Sequence, residues 1–441
     1  MNILVHYSIR GRTASAIAQS AERALREGRL PPGSALPTVR ALARELKVSP
    51  ATVAAAYRDL RQRGLVVAQG RRGTRVAARP PLAFPRSEPR PRPSLRNLAE
   101  GNPDPRLLPS LAGALRQVPR RPRLYGEPPH RLLGLAARAF EADGVPSQAV
   151  CVVAGAMDGI ERVLQAHLRP GDRVAVEDPG YDAVLDLVGA LGLAAEPIGL
   201  DDDGLRPEEL HRALASGCRA LVLTPRAQNP TGAALTEARA HELRRLLDAH
   251  PDLLVLEDDH AGAVAGAPVV TLCSRSRARW AVVRSVSKSL GPDLRLALVA
   301  GDPETVARVS GRQALGSGWV SHLVQDVVAA FLSDAATLRG LRRAAATYRE
   351  RREALRKALA RRGIAAHGRS GLNVWVPVRE EAAVVAGMAA AGFAVRAGER
   401  YRIRSRPAVR LTTAALRAEE AEAVAATLAR VLEGDRPVRS A

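Results

Sequence analysis

The sequence predicts an α/β protein that carries a small helical arm in front of its main domain. Three observations lead there. Residues 12–76 hold three stretches of helical apolar spacing and then a glycine-bounded hairpin. Residues 77–97 contain Pro80, Pro81, Pro85, Pro89, Pro91 and Pro93 interleaved with Arg86, Arg90 and Arg92, a composition that reads as an extended, semi-rigid linker. Beyond Asn97, helical segments alternate with short β-rich runs, the pattern of parallel β/α units in a mixed, mostly parallel sheet. The expected organisation is therefore an arm over residues 1–78, a linker over 79–97 and a large domain over 98–441, with no internal repeat.

The arm is legible element by element. Ile17, Ala21 and Leu25 recur at helical spacing, and that segment ends at Gly28 and Pro31-Pro32-Gly33. Thr38 caps a short helix to Leu46 with Val39, Leu42 and Leu46 on one face, and Lys47-Val48 make the turn. Ser49 is an N-cap, Pro50 takes the first helical position where its missing N–H costs nothing, and Val53, Tyr57 and Leu60 form the next stripe. Leu65-Val66-Val67 and Thr74-Arg75-Val76 flank Gly70-Arg71-Arg72-Gly73, two strands around a basic tip. This is the layout of a winged helix-turn-helix.

Length and composition set the outer limits. The chain has 441 residues, about three times the roughly 150 expected per domain. Apolar residues at 46% and charged residues at 25% exclude wholesale disorder, and 3% aromatics leave the core to Ala, Leu and Val. No apolar run reaches about 18 residues, and the longest candidate, 382–395, is broken by glycine, so no membrane span is expected. Met1 to His6 do not read as a signal peptide. Cys151, Cys218 and Cys273 are odd in number and far apart, which disfavours a disulfide framework or a cysteine metal site. A cytoplasmic, nucleoid-associated protein without a bound metal is the expectation.

Charge is unevenly placed. The net formal charge is +21, and residues 1–98 hold 19 basic against 5 acidic side chains, whereas the remainder holds 47 against 40. A local basic surplus fits a polyanionic partner, because phosphate neutralisation dominates non-specific affinity. A helix-turn-helix places its second helix in the major groove of double-stranded DNA. Ser49, Thr52 and Arg58 on that helix, Thr38 and Arg40 at the start of the preceding one, and Arg71 and Arg72 at the wing tip are the candidate DNA contacts. A protein-binding role for so small a unit is the rival reading, and the charge weighs against it.

The arm resembles the GntR family of regulators in Leu30-Pro31-Pro32-Gly33, Leu36-Pro37, Arg40, Leu42-Ala43, Val48-Ser49, Thr52-Val53, Tyr57, Leu60 and Gly70–Gly73. Many relatives carry arginines in the recognition helix where this chain has Pro50 and Ala54, so its recognition surface is less polar.

In the large domain the β-rich runs are 150–153, 173–176, 220–223, 253–256 and 281–283, and chemistry-bearing residues follow each of them. Of 66 basic residues only Lys47, Lys288 and Lys357 are lysine, and only a primary amine can form a Schiff base with an aldehyde. Lys288 sits in Ser285-Val286-Ser287-Lys288, with Arg295 seven residues on. Ser285, Ser287 and Arg295 can serve a phosphate, Arg most strongly because its fork matches the oxygens. Glu257-Asp258-Asp259-His260 ends a strand, where ligands bind in α/β sheets, and one carboxylate there can keep a pyridine nitrogen protonated. Asn229-Pro230-Thr231-Gly232 offers an amide donor. Ala154-Gly155-Ala156 lets backbone N–H groups approach a phosphate at a helix start. Tyr181, after Glu177-Asp178-Pro179-Gly180, can cover a ring face.

In this order and spacing the motifs resemble class I aminotransferases of fold type I over about residues 98–430, with a smaller α+β subdomain. The resemblance implies pyridoxal 5'-phosphate as cofactor, Lys288 as the Schiff-base lysine and Asp258 as the pyridinium partner. It further implies Asn229 as donor to the ring oxygen, Tyr181 as the stacking aromatic, and Gly155, Ala156, Ser285, Ser287 and Arg295 as phosphate ligands. Arg410 matches the arginine that clamps a substrate carboxylate, and Gly101-Asn102-Pro103 the loop leading into the small subdomain. Where relatives usually carry a tyrosine that donates to the ring oxygen, this chain has His260. Its protonation would make the cofactor linkage pH-sensitive near neutrality. After Tyr125-Gly126, the common Gly and Leu-Arg give way to Pro128, Pro129, His130 and Leu132-Leu133. Trp280, Trp319 and Trp375 are expected in the core or at an interface.

The fusion of the two parts resembles the MocR subfamily of bacterial regulators, which implies an effector-sensing, dimer-forming aminotransferase-like domain. Three functions follow. The first is a DNA-binding transcriptional regulator, a homodimer, that senses an amino compound or the cofactor itself. The second is a working transaminase with an accessory arm, and the third a cofactor-free DNA-binding dimer.

Overall fold

The computed structural model describes residues 9–68, 73–77, 91–119 and 130–434. Hydroxyl caps set the arm's helices. Thr13 accepts from the N–H of Ala16 at 3.2 Å and opens α1 (Ala14–Arg26). Thr38 accepts from Ala41 at 3.2 Å and opens α2 (Val39–Leu46), which stops at Lys47 in the left-handed region with φ 53°. Ser49 accepts from Thr52 at 3.1 Å and opens α3 (Pro50–Gln62). Each apolar stripe expected from the sequence, Ile17–Ala21–Leu25, Leu42 and Val53–Tyr57–Leu60, enters one buried cluster, with Val39 and Leu46 half-buried at its edge.

The hairpin is present as β1 (Val66–Ala68) and β2 (Thr74–Val76), antiparallel. The basic tip with Arg71 and Arg72 lies outside the described residues. The segment expected to act only as a breaker does more. Leu36 N–H donates to Thr74 O and Val76 N–H to Ser34 O, both at 2.8 Å, so residues 33–36 form a third layer of pairing on the wing. Tyr57 Oη donates to Pro37 O at 2.8 Å, tying α3 to that segment. Ile9 also joins the core, at 2% exposure.

The large domain is built on an eight-stranded sheet in the order Ala149–Val153, Ala297–Gly301, Trp280–Ser285, Leu254–Asp259, Ala220–Leu223, Arg173–Asp178, Ala194–Asp201, Gly204–Leu205. All five runs picked out in the sequence are strands of it. Leu254–Asp259 pairs in parallel with Ala220–Leu223 and with Trp280–Ser285. Ala297–Gly301, which the sequence reading missed, inserts antiparallel between Trp280–Ser285 and Ala149–Val153. The central strands are buried along their whole length, as strands covered on both faces must be. They also run further than expected, to Asp178, Asp259 and Ser285, which carries the polar residues to their C-terminal ends.

A smaller subdomain holds the antiparallel sheet of Asn373–Pro377, Ala408–Thr412 and Arg396–Ala397. Helices Ala335–Ala360 and Ala421–Gly434 cover it, and Leu355, Leu359, Val374, Val409, Val424 and Leu428 fill the space between. Arg96–Asn97 pairs in parallel with Phe393–Ala394, so the last two residues of the expected linker already belong to this subdomain. Among the described residues no helix is long and apolar enough to cross a membrane.

Candidate cofactor site and nucleic-acid interface

Strand ends gather the candidate residues. Lys288 lies in the bend after Trp280–Ser285, and its Nζ donates to Gly101 O at 2.5 Å. Burial, and then the charge of Arg410, pull its pKa down to about 8, so an appreciable share of the amine is unprotonated and nucleophilic near neutral pH. Asp258 is 2% exposed, and its Oδ1 is buried without a hydrogen-bond partner. Burial, Asp259 and Glu177 push its pKa up to about 8. Its neighbour Asp259 behaves in the opposite way. Arg226 grips it through two bonds of 2.9 Å and Arg284 through one of 2.6 Å, holding it well below the usual carboxylate range.

Arg410 comes from the middle strand of the small sheet and reaches the same region. Its Nη1 donates to Asn229 Oδ1 at 3.0 Å and its Nη2 to Ala99 O at 2.6 Å, while Nε is buried and partnerless. Asn373 Nδ2 also donates to Asn229 Oδ1, at 3.3 Å. With the amide oxygen so used, Nδ2 is the donor that Asn229 has to offer.

Gly155 adopts φ +99°, and a Cβ there would stand 2.8 Å from Arg295 Nη2. A side chain there would push that guanidinium aside and strain the backbone, and Ala156 starts the helix Ala156–His167 directly after it. Ser285 is buried, and its Oγ accepts from Ser287 N–H at 3.1 Å. Tyr181 is half-buried and follows a cis Asp178–Pro179 bond.

His260 corrects an expectation. Its Nε2 lies 2.8 Å from Ala227 O, and burial is the largest influence pulling its pKa down to about 4. It is neutral at physiological pH and does not titrate near neutrality. In the tautomer that donates Nε2–H to the carbonyl, Nδ1 is an acceptor.

Gln228 and Glu177 escaped the sequence reading as working residues. Gln228 Nε2 donates to Glu177 Oε2 at 3.1 Å and to Pro179 O at 2.9 Å, and its Oε1 accepts from Thr231 N–H and Oγ1. It thereby locks the loop that carries Tyr181 to the loop that carries Asn229. Burial pushes Glu177 up to about 7. The signal available was a glutamine beside Asn-Pro-Thr-Gly, which has no distinctive spacing. Trp280 and Trp375 are core residues, whereas Trp319 is 46% exposed. Tyr125, Gly126, Pro128 and Pro129 lie outside the described residues.

These residues fit pyridoxal 5'-phosphate. A depressed-pKa amine suits its aldehyde, and a buried carboxylate oxygen lacking a donor suits its pyridinium N–H. The glycine cradle under Arg295, with Ser285 and Ser287, suits its phosphate.

On the arm, Arg40 and Arg58 are exposed on α2 and α3, and Thr38 and Ser49 are exposed at the helix starts. Thr52 is half-buried, and its Oγ1 lies 2.8 Å from Ser49 Oγ. The hydroxyls of Thr38 and Ser49 therefore serve as caps as well as candidate contacts, while the two arginines are uncommitted to any such local role.

Comparison with known proteins agrees with both parts. Residues 97–428 match the family described as aminotransferase class I and II, and residues 13–76 match the bacterial regulatory proteins of the gntR family. The chain is 40% identical over 430 residues to the vitamin B6 salvage pathway transcriptional repressor PtsJ of Salmonella typhimurium, covering 96% of this chain and 99% of that protein. It is 29% identical over 363 residues to the pyridoxine biosynthesis regulator PdxR of Corynebacterium glutamicum, covering 78% of each. Among solved structures, the kynurenine aminotransferase of Pyrococcus horikoshii superposes with a TM-score of 0.70 at 20% identity, over 78% of this chain and 92% of that one, a likeness of fold. With a GntR region ahead of a class I and II aminotransferase domain along nearly the whole length it shares with PtsJ, the chain belongs to the MocR subfamily of GntR-type regulators.

Proposed function

We propose that this protein is a DNA-binding transcriptional regulator that holds pyridoxal 5'-phosphate on Lys288 and responds to the cofactor or to an amino compound that reacts with it. The observation that carries the reading is Lys288 itself: one of three lysines in the chain, half-buried, with its pKa lowered toward the range where an amine captures an aldehyde. When bound, the cofactor supplies an aldehyde carbon and an electron-withdrawing ring. Asp258 receives the ring N–H, Tyr181 covers the ring, and Asn229 Nδ2 donates to the ring oxygen. Gly155, Ala156, Ser285, Ser287 and Arg295 hold the phosphate. Arg410 receives an effector carboxylate. His260 braces Ala227, one residue before Gln228, instead of touching the ring oxygen.

The arm meets double-stranded DNA through Arg40 and Arg58, with Thr38, Ser49, Thr52, Arg71 and Arg72 beside them. Among the described residues the exposed large apolar side chains are Leu111, Leu115, Leu315, Trp319 and Leu323. Helix Leu111–Leu115 packs against helix His322–Ser333, which brings several of them to neighbouring elements. Such a patch suits a second copy of the chain, and a homodimer would present two arms to two half-sites. The Salmonella relative is a vitamin B6 salvage repressor, which favours the cofactor itself as the signal and a promoter concerned with vitamin B6 supply as the target.

The test is binding of the full-length protein to its genomic DNA fragment with and without pyridoxal 5'-phosphate. The expected result is an affinity that changes with the cofactor and no longer changes in Lys288→Ala. Borohydride reduction without a mass adduct on Lys288 would leave the cofactor-free dimer as the better account.

A second reading, a working transaminase, is favoured by one detail. Arg410 Nε is buried and partnerless, as a carboxylate receptor requires. The chain is also 32% identical over 305 residues to an aromatic amino acid aminotransferase of Thermobifida fusca. Steady-state turnover at rates on the order of 1–1000 per second would favour the enzyme.

A further inference from the structure

Lys288 and Arg410 are both engaged by one short stretch of main chain. Lys288 Nζ donates to Gly101 O and Arg410 Nη2 to Ala99 O, at 2.5 and 2.6 Å. The stretch is anchored at each end. Leu98 N–H donates to Ala394 O at 2.9 Å and Thr412 N–H donates to Leu98 O at 2.7 Å. At the far end Asp104 N–H donates to Tyr348 Oη at 3.0 Å, and the Asp104 carboxylate is shared by Arg106 and Arg351. Between the anchors, Asn97 Oδ1 accepts from the N–H groups of Ala99 and Glu100, both at 3.1 Å, and fixes the turn that leads to the two carbonyls. This stretch directly follows Arg96–Asn97, the strand by which the chain enters the small subdomain after the arm and linker.

We infer that residues 98–102 are a latch: ligand on Lys288 and Arg410 takes the donors away from the Ala99 and Gly101 carbonyls, and the released stretch passes the signal along the chain to the DNA-binding arm. The inference rests on the reading of the pocket proposed above. Condensation of the Lys288 amine with an aldehyde forms a C=N bond and releases one water. The nitrogen then keeps at most one hydrogen and is no longer the ammonium-type donor that Gly101 O receives. At Arg410, Nη1 is held by Asn229 while Nε is buried and open. A carboxylate therefore docks across Nε and Nη2 and competes with Ala99 O for the hydrogens of Nη2. A buried carbonyl deprived of its donor must find water or another partner, and Ala99 is only 4% exposed, so the stretch moves. Ligand and main chain compete for the same two donor groups, which is the differential contact that coupling between two sites requires.

The test uses the full-length protein, amide hydrogen exchange of residues 98–102, and pyridoxal 5'-phosphate as the probe. Loss of a charge-assisted bond at these carbonyls should speed exchange on the order of tenfold in cofactor-loaded protein. Asn97→Ala touches neither Lys288 nor Arg410, and Asn97 is exposed, so the variant should fold. It should show fast exchange without cofactor and a DNA affinity that responds less to cofactor than the parent's. Exchange at 98–102 that is unchanged or slower, in protein whose Lys288 adduct is confirmed by borohydride trapping, overturns the latch and leaves the pocket assignment standing. A full cofactor response of DNA binding in Asn97→Ala overturns it equally. Absence of the adduct overturns the pocket assignment, and the latch with it.

Discussion

Asp258 is a carboxyl group whose ordinary ionisation is suppressed by where it sits. Its pKa of about 8, raised by burial first and then by Asp259 and Glu177, means that the folded chain binds a proton there that the unfolded chain releases near pH 4. A raised folded-state pKa gives stability that is complete below the unfolded value and lost as pH climbs through the folded one. The cofactor-free protein should therefore lose stability through this group between about pH 4 and 8. Asp258→Asn carries no such loss. Its stability relative to the parent, followed by urea unfolding of cofactor-free protein, should improve steadily from pH 5 to pH 8, while its retention of cofactor falls. A difference independent of pH would contradict the burial argument. Lys288 is the mirror case, a base whose charge is disfavoured. The rate of its borohydride-trappable adduct should rise with pH to a plateau beyond about 8, and Arg410→Met should move the midpoint upward by removing the nearby positive charge.

At the scale of elements, the end of strand Leu254–Asp259 places acids of opposite fate side by side. Glu257 accepts from Thr271 Oγ1 and Leu272 N–H, with burial pushing it up to about 7, whereas Asp259 is ionised between Arg226 and Arg284. Arg284 in turn pairs with Asp143 at 2.7 Å and lies over the Phe140 ring. Asp259→Ala leaves two largely buried guanidinium groups without their shared partner and should cost about 3–5 kcal/mol in chemical denaturation. The network was not legible in the sequence, because parallel register sets Asp259 beside Arg284 and the loop after Ala220–Leu223 brings Arg226 to them. The parts that were legible are those with local chemistry. Thr38 and Ser49 announce helix starts by their own hydroxyls, and the five β-rich runs show themselves by their short apolar composition. Glycine at 155 shows itself beside a strand end. Ala297–Gly301 was missed because a short apolar run does not reveal that the chain reverses to pair antiparallel. The pairing of residues 33–36 with the wing was hidden by the prolines beside it, and the fate of His260 by the distant Ala227 carbonyl. Local capping has its own test: Ser49→Ala should lower stability by about 1 kcal/mol in the melting of the full-length protein.

For the whole molecule the distribution of charge decides what kind of DNA binding to expect. Residues 1–98 hold a net +14 of the total +21, so most of the attraction to phosphate resides in the arm and linker. Binding should be steeply salt-dependent. Replacing a phosphate-contacting arginine with alanine should lower the slope of log affinity against log salt by about 1 and weaken binding uniformly across sequences. Arg40→Ala and Arg58→Ala are the two variants to compare. Whichever one reads bases instead should lose discrimination between sites while keeping more of the salt slope. Dimer formation adds a second factor, because two linked arms bind two half-sites with an avidity that one arm lacks. Leu323, 65% exposed on helix His322–Ser333, is the side chain to challenge. Leu323→Glu puts a charge in the proposed contact without touching Lys288 or the arm. By light scattering, dimer dissociation should strengthen about tenfold or more, and DNA affinity should fall with it while cofactor capture persists. If the variant remains as dimeric as the parent, the apolar patch serves another partner, and the two-arm geometry must be built from a different face.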